Sequence, residues 1–430
     1  MSHARGRWCV IGAGPSGLAA VKSLLELGIE AECLEREDDV GGNWYYGARG
    51  SAVLASTRLI SSKKLTEYAD FPMPREWPSH PTHVRCLAYL REYARHFGLL
   101  PHIRTHRDVT RIEPVGTGGG WAVHVEGQPS ALYAGVVIAS GHNREPRFPE
   151  IPGSFSGVSL HACDYKSPER PVPIHGKRVL VIGGGNSGCD IAVECSRHAV
   201  TWHSTRRGYF VVPREISGRP SDLRNERLLK MGAPVWLRRA LSLRAIDRTI
   251  GLPRRHGLRR PDHRLWETHP VINDAICERI DAGAIRPVAD VVRFDGDTAE
   301  FADGTRARFD IVIFATGYRT SMPFIDLAQF GGPIASADGV PNLFMHLLHP
   351  VRDDIAVCGL IQPDSGQWGI TELQAKLVAR MALAATTSPR ALAWLHRRRA
   401  AGWKPGPIRY VDSPRHALEV EHHTYRRTLE

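Results

Sequence analysis

Two glycine-rich turns of one design, Gly12-Ala13-Gly14-Pro15-Ser16-Gly17 and Gly183-Gly184-Gly185-Asn186-Ser187-Gly188, stand in the same chain of 430 residues. Each follows an apolar run, Trp8-Cys9-Val10-Ile11 or Val179-Leu180-Val181-Ile182, and each precedes a helical pattern, Leu18-Ala19-Ala20-Val21 or Ile191-Ala192-Val193-Glu194. Strand, glycine turn, helix is the phosphate-gripping element of a parallel α/β sheet. The first glycine permits the tight turn, the second lets backbone approach a pyrophosphate, and the third brings helix against strand. The helix amino end adds unpaired N–H groups and a positive dipole end. The chain is therefore expected to be α/β, with two dinucleotide-binding (Rossmann-like) domains.

The residue 18 positions past the last glycine differs in sign between the copies, Glu35 in the first and Arg206 in the second. A carboxylate there accepts hydrogen bonds from ribose hydroxyls and repels a ribose phosphate, whereas an arginine welcomes the phosphate. The first site is expected to take the adenosine half of FAD or NAD. The second, with Arg206 and Arg207, is expected to take NADP. NADPH feeding a bound flavin is the economical reading.

Length suggests two or three domains. The eight cysteines (Cys9, Cys33, Cys86, Cys163, Cys189, Cys195, Cys277 and Cys358) are scattered without C-x-x-C spacing. That counts against a dithiol relay and against structural zinc, so no metal is expected. Much of the net charge of +11 falls between Arg219 and Arg264. It reads as a solvated arginine-rich face rather than a nucleic-acid surface, although it could guide an anionic cofactor. The first strand begins within ten residues of the start and no apolar stretch reaches membrane-spanning length, so a cytoplasmic protein without a membrane partner is expected. A homodimer stays open.

The two halves also close alike. Val136-Val137-Ile138-Ala139-Ser140-Gly141-His142 ends the first, and Ile311-Val312-Ile313-Phe314-Ala315-Thr316-Gly317-Tyr318 ends the second. Glycine at a strand's carboxyl end lets a ligand approach, so Gly141, His142, Thr316 and Gly317 are expected beside the cofactors. Gly116-Thr117-Gly118-Gly119-Gly120 and Ala302-Asp303-Gly304-Thr305 read as hairpin turns of a small antiparallel insert in each half. Proline-rich stretches, 145–153 and 168–173, read as linkers. Residues 1–160 are assigned to the first part of the FAD domain and 170–320 to an inserted NADPH domain with a basic helical insert around 215–265. Residues 325–430 are assigned to a return to the FAD domain.

Between the linkers stands Phe155-Ser156-Gly157-Val158-Ser159-Leu160-His161-Ala162-Cys163-Asp164-Tyr165, an F-x-G-x-x-x-H-x-x-x-Y pattern. With both fingerprints, Gly41-Gly42-Asn43-Trp44, Asp70-Phe71-Pro72-Met73-Pro74 and Phe314-Ala315-Thr316-Gly317-Tyr318, it resembles the class B flavin-containing monooxygenases. The resemblance implies FAD, NADPH and dioxygen, with a flavin hydroperoxide passing one oxygen to a nitrogen or sulfur of a small organic substrate. No amino-acid nucleophile is needed, and His161 would position rather than transfer protons. Related Baeyer–Villiger enzymes usually carry Trp where this chain has Tyr165, which favours heteroatom oxygenation.

By the same resemblance, Gly12, Gly14, Pro15, Ser16, Gly17, Glu35, Arg36, Gly42, Asn43, Trp44, Ser61, Gly141, His142 and Gln362 are expected around FAD. Gly183, Gly185, Asn186, Ser187, Gly188, Arg206 and Arg207 are expected around NADPH, and Thr316 and Gly317 beside the cofactors. One departure matters. The family commonly has an asparagine in an N-T-S-K run before the D-F-P element, contacting NADP+ and the oxygenated flavin. This chain reads Leu59-Ile60-Ser61-Ser62-Lys63, and isoleucine donates no hydrogen bond. Ile60, Ser61 and Ser62 are thus the candidate flavin–nicotinamide environment, with Ser61 or a water as a substitute donor. The rivals are Baeyer–Villiger oxidation of a ketone and a redox flavoprotein that turns NADPH oxidation into hydrogen peroxide.

Overall fold

A computed structural model describes residues 6–116, 119–330 and 339–430. Two five-stranded parallel sheets dominate it, and they repeat one order over four of their strands. In the first, Ile355–Val357, Gly135–Ile138, Trp8–Ile11, Ala31–Leu34 and Ile103–Arg104 lie side by side. In the second the order is Val158–His161, Ile311–Phe314, Arg178–Ile182, Val200–Ser204 and Ile285–Val288. In each sheet the strand before the glycine turn is flanked by the strand that closes its half. The two closing sequences were alike because they occupy the same place in the two sheets.

Strands Trp8–Ile11, Gly135–Ile138 and Ile311–Phe314 are buried at every residue, which is why they read as unbroken apolar runs rather than alternating ones. Helix Pro15–Glu26 buries Leu18, Ala19, Val21 and Leu24 in a core shared with Ile370, Ala375, Val378 and Ala379 of helix Trp368–Thr387. The carboxy-terminal part thus roofs the first sheet and adds Ile355–Val357 to its edge.

Each half carries its antiparallel insert. Val109–Pro114, Trp121–Val125 and Ala131–Tyr133 form the first, and Val291–Gly296, Thr298–Phe301 and Arg306–Arg308 belong to the second. Thr117 and Gly118 of the first expected turn lie outside the described residues. Helices Ser221–Lys230 and Val235–Thr249 form the basic insert.

The crossing differs from the expected boundary at residue 160. Gly153–Phe155 already pairs with Val291–Gly296, and Val158–His161 already forms the edge of the second sheet. Residues 153–161 thus pair with strands of the second half, and Val158–His161 of the F-x-G-x-x-x-H element forms the sheet's edge. The two connections meet each other where Glu145–Pro146 pairs antiparallel with Tyr318–Arg319. All eight cysteines are buried and unpaired, small apolar side chains in effect. Among the described residues no helix is long and apolar enough to cross a membrane.

Candidate functional site

Parallel sheets open a crevice beyond the carboxyl ends of their strands. Here both sheets open onto one cleft with a volume of about 1290 Å³, lined by both glycine turns. A site for one drug-sized ligand spans roughly 300–1,000 Å³, so this cleft has room for more than one such molecule.

At the first turn Gly12 has φ +100°, and a Cβ there would lie 2.8 Å from the carbonyl oxygen of Ala139. Gly12, Gly14, Pro15 and Ser16 line the cleft. Gly17 lies behind it, where a Cβ would fall 1.8 Å from the Gly12 carbonyl oxygen. Its task is helix-to-strand packing. Gly42 crosses over the turn so closely that a Cβ would come 2.9 Å from the Gly14 Cα, and Asn43 and Trp44 follow it along the wall. Asn43 uses its Oδ1 to accept from the Ala52 amide at 2.7 Å. Trp44 meets Trp368 edge to face, with ring centroids 5.5 Å apart.

Glu35 is buried at the end of the second strand. Its Oε2 accepts from the Ala13 amide at 2.6 Å, and its Oε1 accepts from the Glu37 amide at 3.0 Å. The carboxylate thus clamps the glycine turn and still has lone pairs for ribose hydroxyls. Arg36 is turned toward Glu37, to whose Oε1 its Nε donates at 2.9 Å, and toward the Arg49 carbonyl. Arg144 joins this end of the cleft, a residue no local motif announced. Burial lowers its pKa, aided by repulsion from Arg36 and opposed by Asp108 and Glu35.

At the second turn Gly183, Gly184, Gly185, Asn186 and Ser187 line the cleft. Gly188 again lies behind, its Cβ position 2.0 Å from the Gly183 carbonyl oxygen. Two of the expected cofactor-binding residues, Asn186 and Arg207, line the cleft with side chains that already have partners in the protein. The Asn186 side chain is spent within the protein: Oδ1 accepts from the Ile272 amide at 2.7 Å and Nδ2 donates to the Pro270 carbonyl at 3.2 Å. Arg207 forms a two-pronged pair with Asp262, at 2.8 and 2.9 Å, and with His263 it holds the Asp262 carboxyl down to about 2. Arg206 makes no side-chain ion pair among the described residues and lines the cleft.

Between the turns stand Gly141, His142, Thr316 and Gly317. Burial lowers the pKa of His142, whose Nδ1 has no partner. Thr316 donates to the Arg147 carbonyl, and the Arg147 amide donates to the Gly317 carbonyl at 3.0 Å. His161 Nε2 lies 3.1 Å from that same carbonyl, and its Nδ1 lies 3.2 Å from the Cys163 sulfur. Burial keeps the imidazole's pKa low, so it pins the crossover as a neutral ring. Tyr165 is fully buried in the core below rather than in the cleft.

Ile60 and Ser61 face the cleft, together with Gln362 and Trp368. Neither serine beside Ile60 replaces the missing amide donor. The Thr66 hydroxyl donates to the Ser62 carbonyl at 2.8 Å, so the 2.8 Å contact between the Ser61 and Thr66 hydroxyls uses the Ser61 proton. Ser62 does not line the main cleft; its hydroxyl is buried without a partner, and its amide donates to Asp222 Oδ2 at 2.6 Å. Asp222 comes from the basic insert and also accepts from the Ser365 hydroxyl at 3.1 Å. No signal near residue 222 could have announced this link, because it joins positions 160 apart in sequence.

The flavin-binding monooxygenase-like family model matches residues 5–404. Flavin-containing monooxygenase 5 of Oryctolagus cuniculus is 34% identical over 444 residues, which cover 97% of this chain and 80% of that one. Among solved structures, S-allyl-L-cysteine S-oxygenase from Allium sativum superposes with a TM-score of 0.66 at 19% identity, covering 99% of this chain and 88% of that one. The OTEMO complex with FAD and NADP superposes with a TM-score of 0.67 at 18% identity, covering 99% and 97%.

Proposed function

The chain belongs to the flavin-binding monooxygenase family and is an FAD- and NADPH-dependent monooxygenase, and from that premise we propose that it oxygenates nitrogen or sulfur in a small organic molecule. The overall reaction consumes NADPH, a proton and dioxygen; one oxygen atom enters the substrate and the other leaves as water. The observation that carries the reading is that both glycine turns open onto one cleft, with Glu35 at one strand end and Arg206 at the equivalent end of the other.

The residues present suit both groups. Gly12, Gly14 and Gly42 leave the first turn bare of side chains where a pyrophosphate would meet backbone, and Glu35 supplies the acceptor for ribose hydroxyls. Gly183 and Gly185 do the same in the second turn, and Arg206 supplies the cation that distinguishes NADPH from NADH. Bound flavin supplies the chemistry that activates dioxygen, a reaction side chains cannot perform.

What this chain contributes is placement and shelter. Ile60, Trp44 and Trp368 present apolar surface to the cleft and limit water there, which protects a reactive oxygen species from wasteful breakdown. His161 and Thr316 fasten the crossover to Gly317 and the Arg147 carbonyl, holding the two halves in register. With Ser61 committed to Thr66, any donor beside Ile60 must come from the NADP+ amide, water or the substrate.

Product analysis tests the reading. The FAD-loaded protein is given NADPH, air and a panel of tertiary amines, thioethers and cyclic ketones. N-oxides or sulfoxides are expected, whereas lactones alone, or hydrogen peroxide alone, would replace the reading with one of its rivals.

A further inference from the structure

A residue far from either fingerprint completes the second phosphate site. Arg415 enters the cleft from the carboxy-terminal tail, and its terminal nitrogen lies 3.2 Å from the Cβ position of Gly185. Gly185 directly precedes helix Asn186–Cys195, so this guanidinium stands where the turn's amides and the helix amino end already favour an anion. No hydrogen bond or ion pair holds the Arg415 side chain among the described residues. The side chain is solvent-exposed where it lines the cleft, and the protein around it lowers its pKa; repulsion from Arg206 adds to this, while Glu419 opposes it. Nearby His416 is pushed down to about 4 by burial, with Arg415, His269 and His263 adding repulsion. Glu419 is itself taken up by His269 at 3.3 Å.

Arg206 from mid-sequence and Arg415 from the carboxy-terminal tail thus line the same end of the cleft, and no carboxylate is bonded to either side chain among the described residues. Their mutual repulsion is relieved when an anion enters between them. We propose that Arg415 grips the pyrophosphate of the nicotinamide cofactor at Gly185, while Arg206 reads the 2′-phosphate, so that affinity and NADPH selectivity are carried by separate residues. This rests on the assignment of NADPH to the second turn.

The division of labour makes a measurable distinction, because the pyrophosphate is common to NADP+ and NAD+ and the 2′-phosphate is not. Dissociation constants of both nucleotides are measured on the FAD-loaded protein through the perturbation of the flavin spectrum. Arg415→Ala should weaken both by about the same factor, on the order of tenfold. It should also flatten the salt dependence of binding and leave the NADP+ to NAD+ ratio intact. Arg206→Ala should instead collapse the ratio.

Arg415→Gln, which keeps much of the side chain's bulk, should behave like the alanine variant, and unchanged flavin occupancy shows that neither variant has lost its fold. Unaltered constants for both nucleotides, or a loss confined to NADP+, would overturn the assignment of Arg415. Failure of the underlying cofactor assignment looks different: wild-type protein would then show no preference for NADP+, and Arg206→Ala would change nothing.

Discussion

The carboxylate of Asp222 accepts the backbone N–H of Ser62 at 2.6 Å, so the first turn of helix Ser221–Lys230 is fastened to the loop that carries Ile60 and Ser61. The same oxygen takes the Ser365 hydroxyl. One side chain of the basic insert therefore ties together two segments that border the cleft. Asp222→Ala leaves a buried amide without an acceptor, a loss of about 1–3 kcal/mol. Because Ile60 and Ser61 would loosen, hydrogen peroxide released per NADPH oxidised should rise. Asp222→Asn keeps an acceptor and should restore most of the coupling. Equal behaviour of the two variants would show that the hydrogen bond does not set the loop.

Arg206 and Arg207 stand side by side but should not be equivalent. Both line the cleft, but Arg207 is already paired with Asp262, whereas Arg206 has no side-chain ion pair among the described residues. Arg206→Ala should raise the KM for NADPH about tenfold or more and barely change that for NADH. Arg207→Ala should do little to either. Steady-state kinetics with both nucleotides decide the matter, and the reverse ranking would move the phosphate contact to Arg207.

Ile60→Asn places an amide where the family resemblance implies one. Ile60 borders the cleft and is not fully buried, so the polar group can reach water or cofactor and the cost of an unsatisfied amide is limited. Provided both cofactors remain bound, the variant should release less hydrogen peroxide per NADPH oxidised. An unchanged or greater leak would mean that Ile60 is not the functional counterpart of the family asparagine.

Asp190 gives the second turn a pH dependence. Burial raises its carboxyl to about 6, and it lines the cleft while accepting from Asn273 at 2.7 Å. Below that value the group is neutral; as pH climbs through it, a negative charge develops facing an anionic ligand. Affinity for NAD+, which has no titrating phosphate near neutrality, should therefore be greatest on the acid side and fall a few-fold between about pH 5 and pH 7. Asp190→Asn should give a flat profile at the tight-binding level. A slope that survives the substitution would place the titrating group elsewhere.

The sheets and the two turns were legible because their signals are local. Buried parallel strands must be apolar throughout, and Gly12 and Gly183 hold positive φ that other residues avoid. The sign difference between Glu35 and Arg206 was legible because each closely follows the second strand of its half, Glu35 one residue past Leu34 and Arg206 two past Ser204. What the chain concealed lies in contacts that only folding creates. Arg415 and Gly185, or Asp222 and Ser62, share no spacing rule. Residue type alone also does not reveal internal partners: Asn186 and Arg207 line the cleft, yet Pro270, Ile272 and Asp262 already bond their side chains. The pairing of Val158–His161 with the second sheet was not legible, because a largely exposed edge strand lacks the continuous apolar run of a central one.

The central claim is that this cleft couples NADPH oxidation at one glycine turn to oxygenation by flavin held at the other. Its most direct test follows the flavin band of the FAD-loaded protein, first on anaerobic addition of NADPH and then on admission of isotopically labelled dioxygen with a thioether or tertiary amine that the product panel has identified. The account predicts bleaching by NADPH, recovery of the oxidised flavin with oxygen, and one labelled oxygen atom in the sulfoxide or N-oxide for nearly every NADPH consumed. A flavin that bleaches and recovers while all the label appears in hydrogen peroxide and none in product would contradict it.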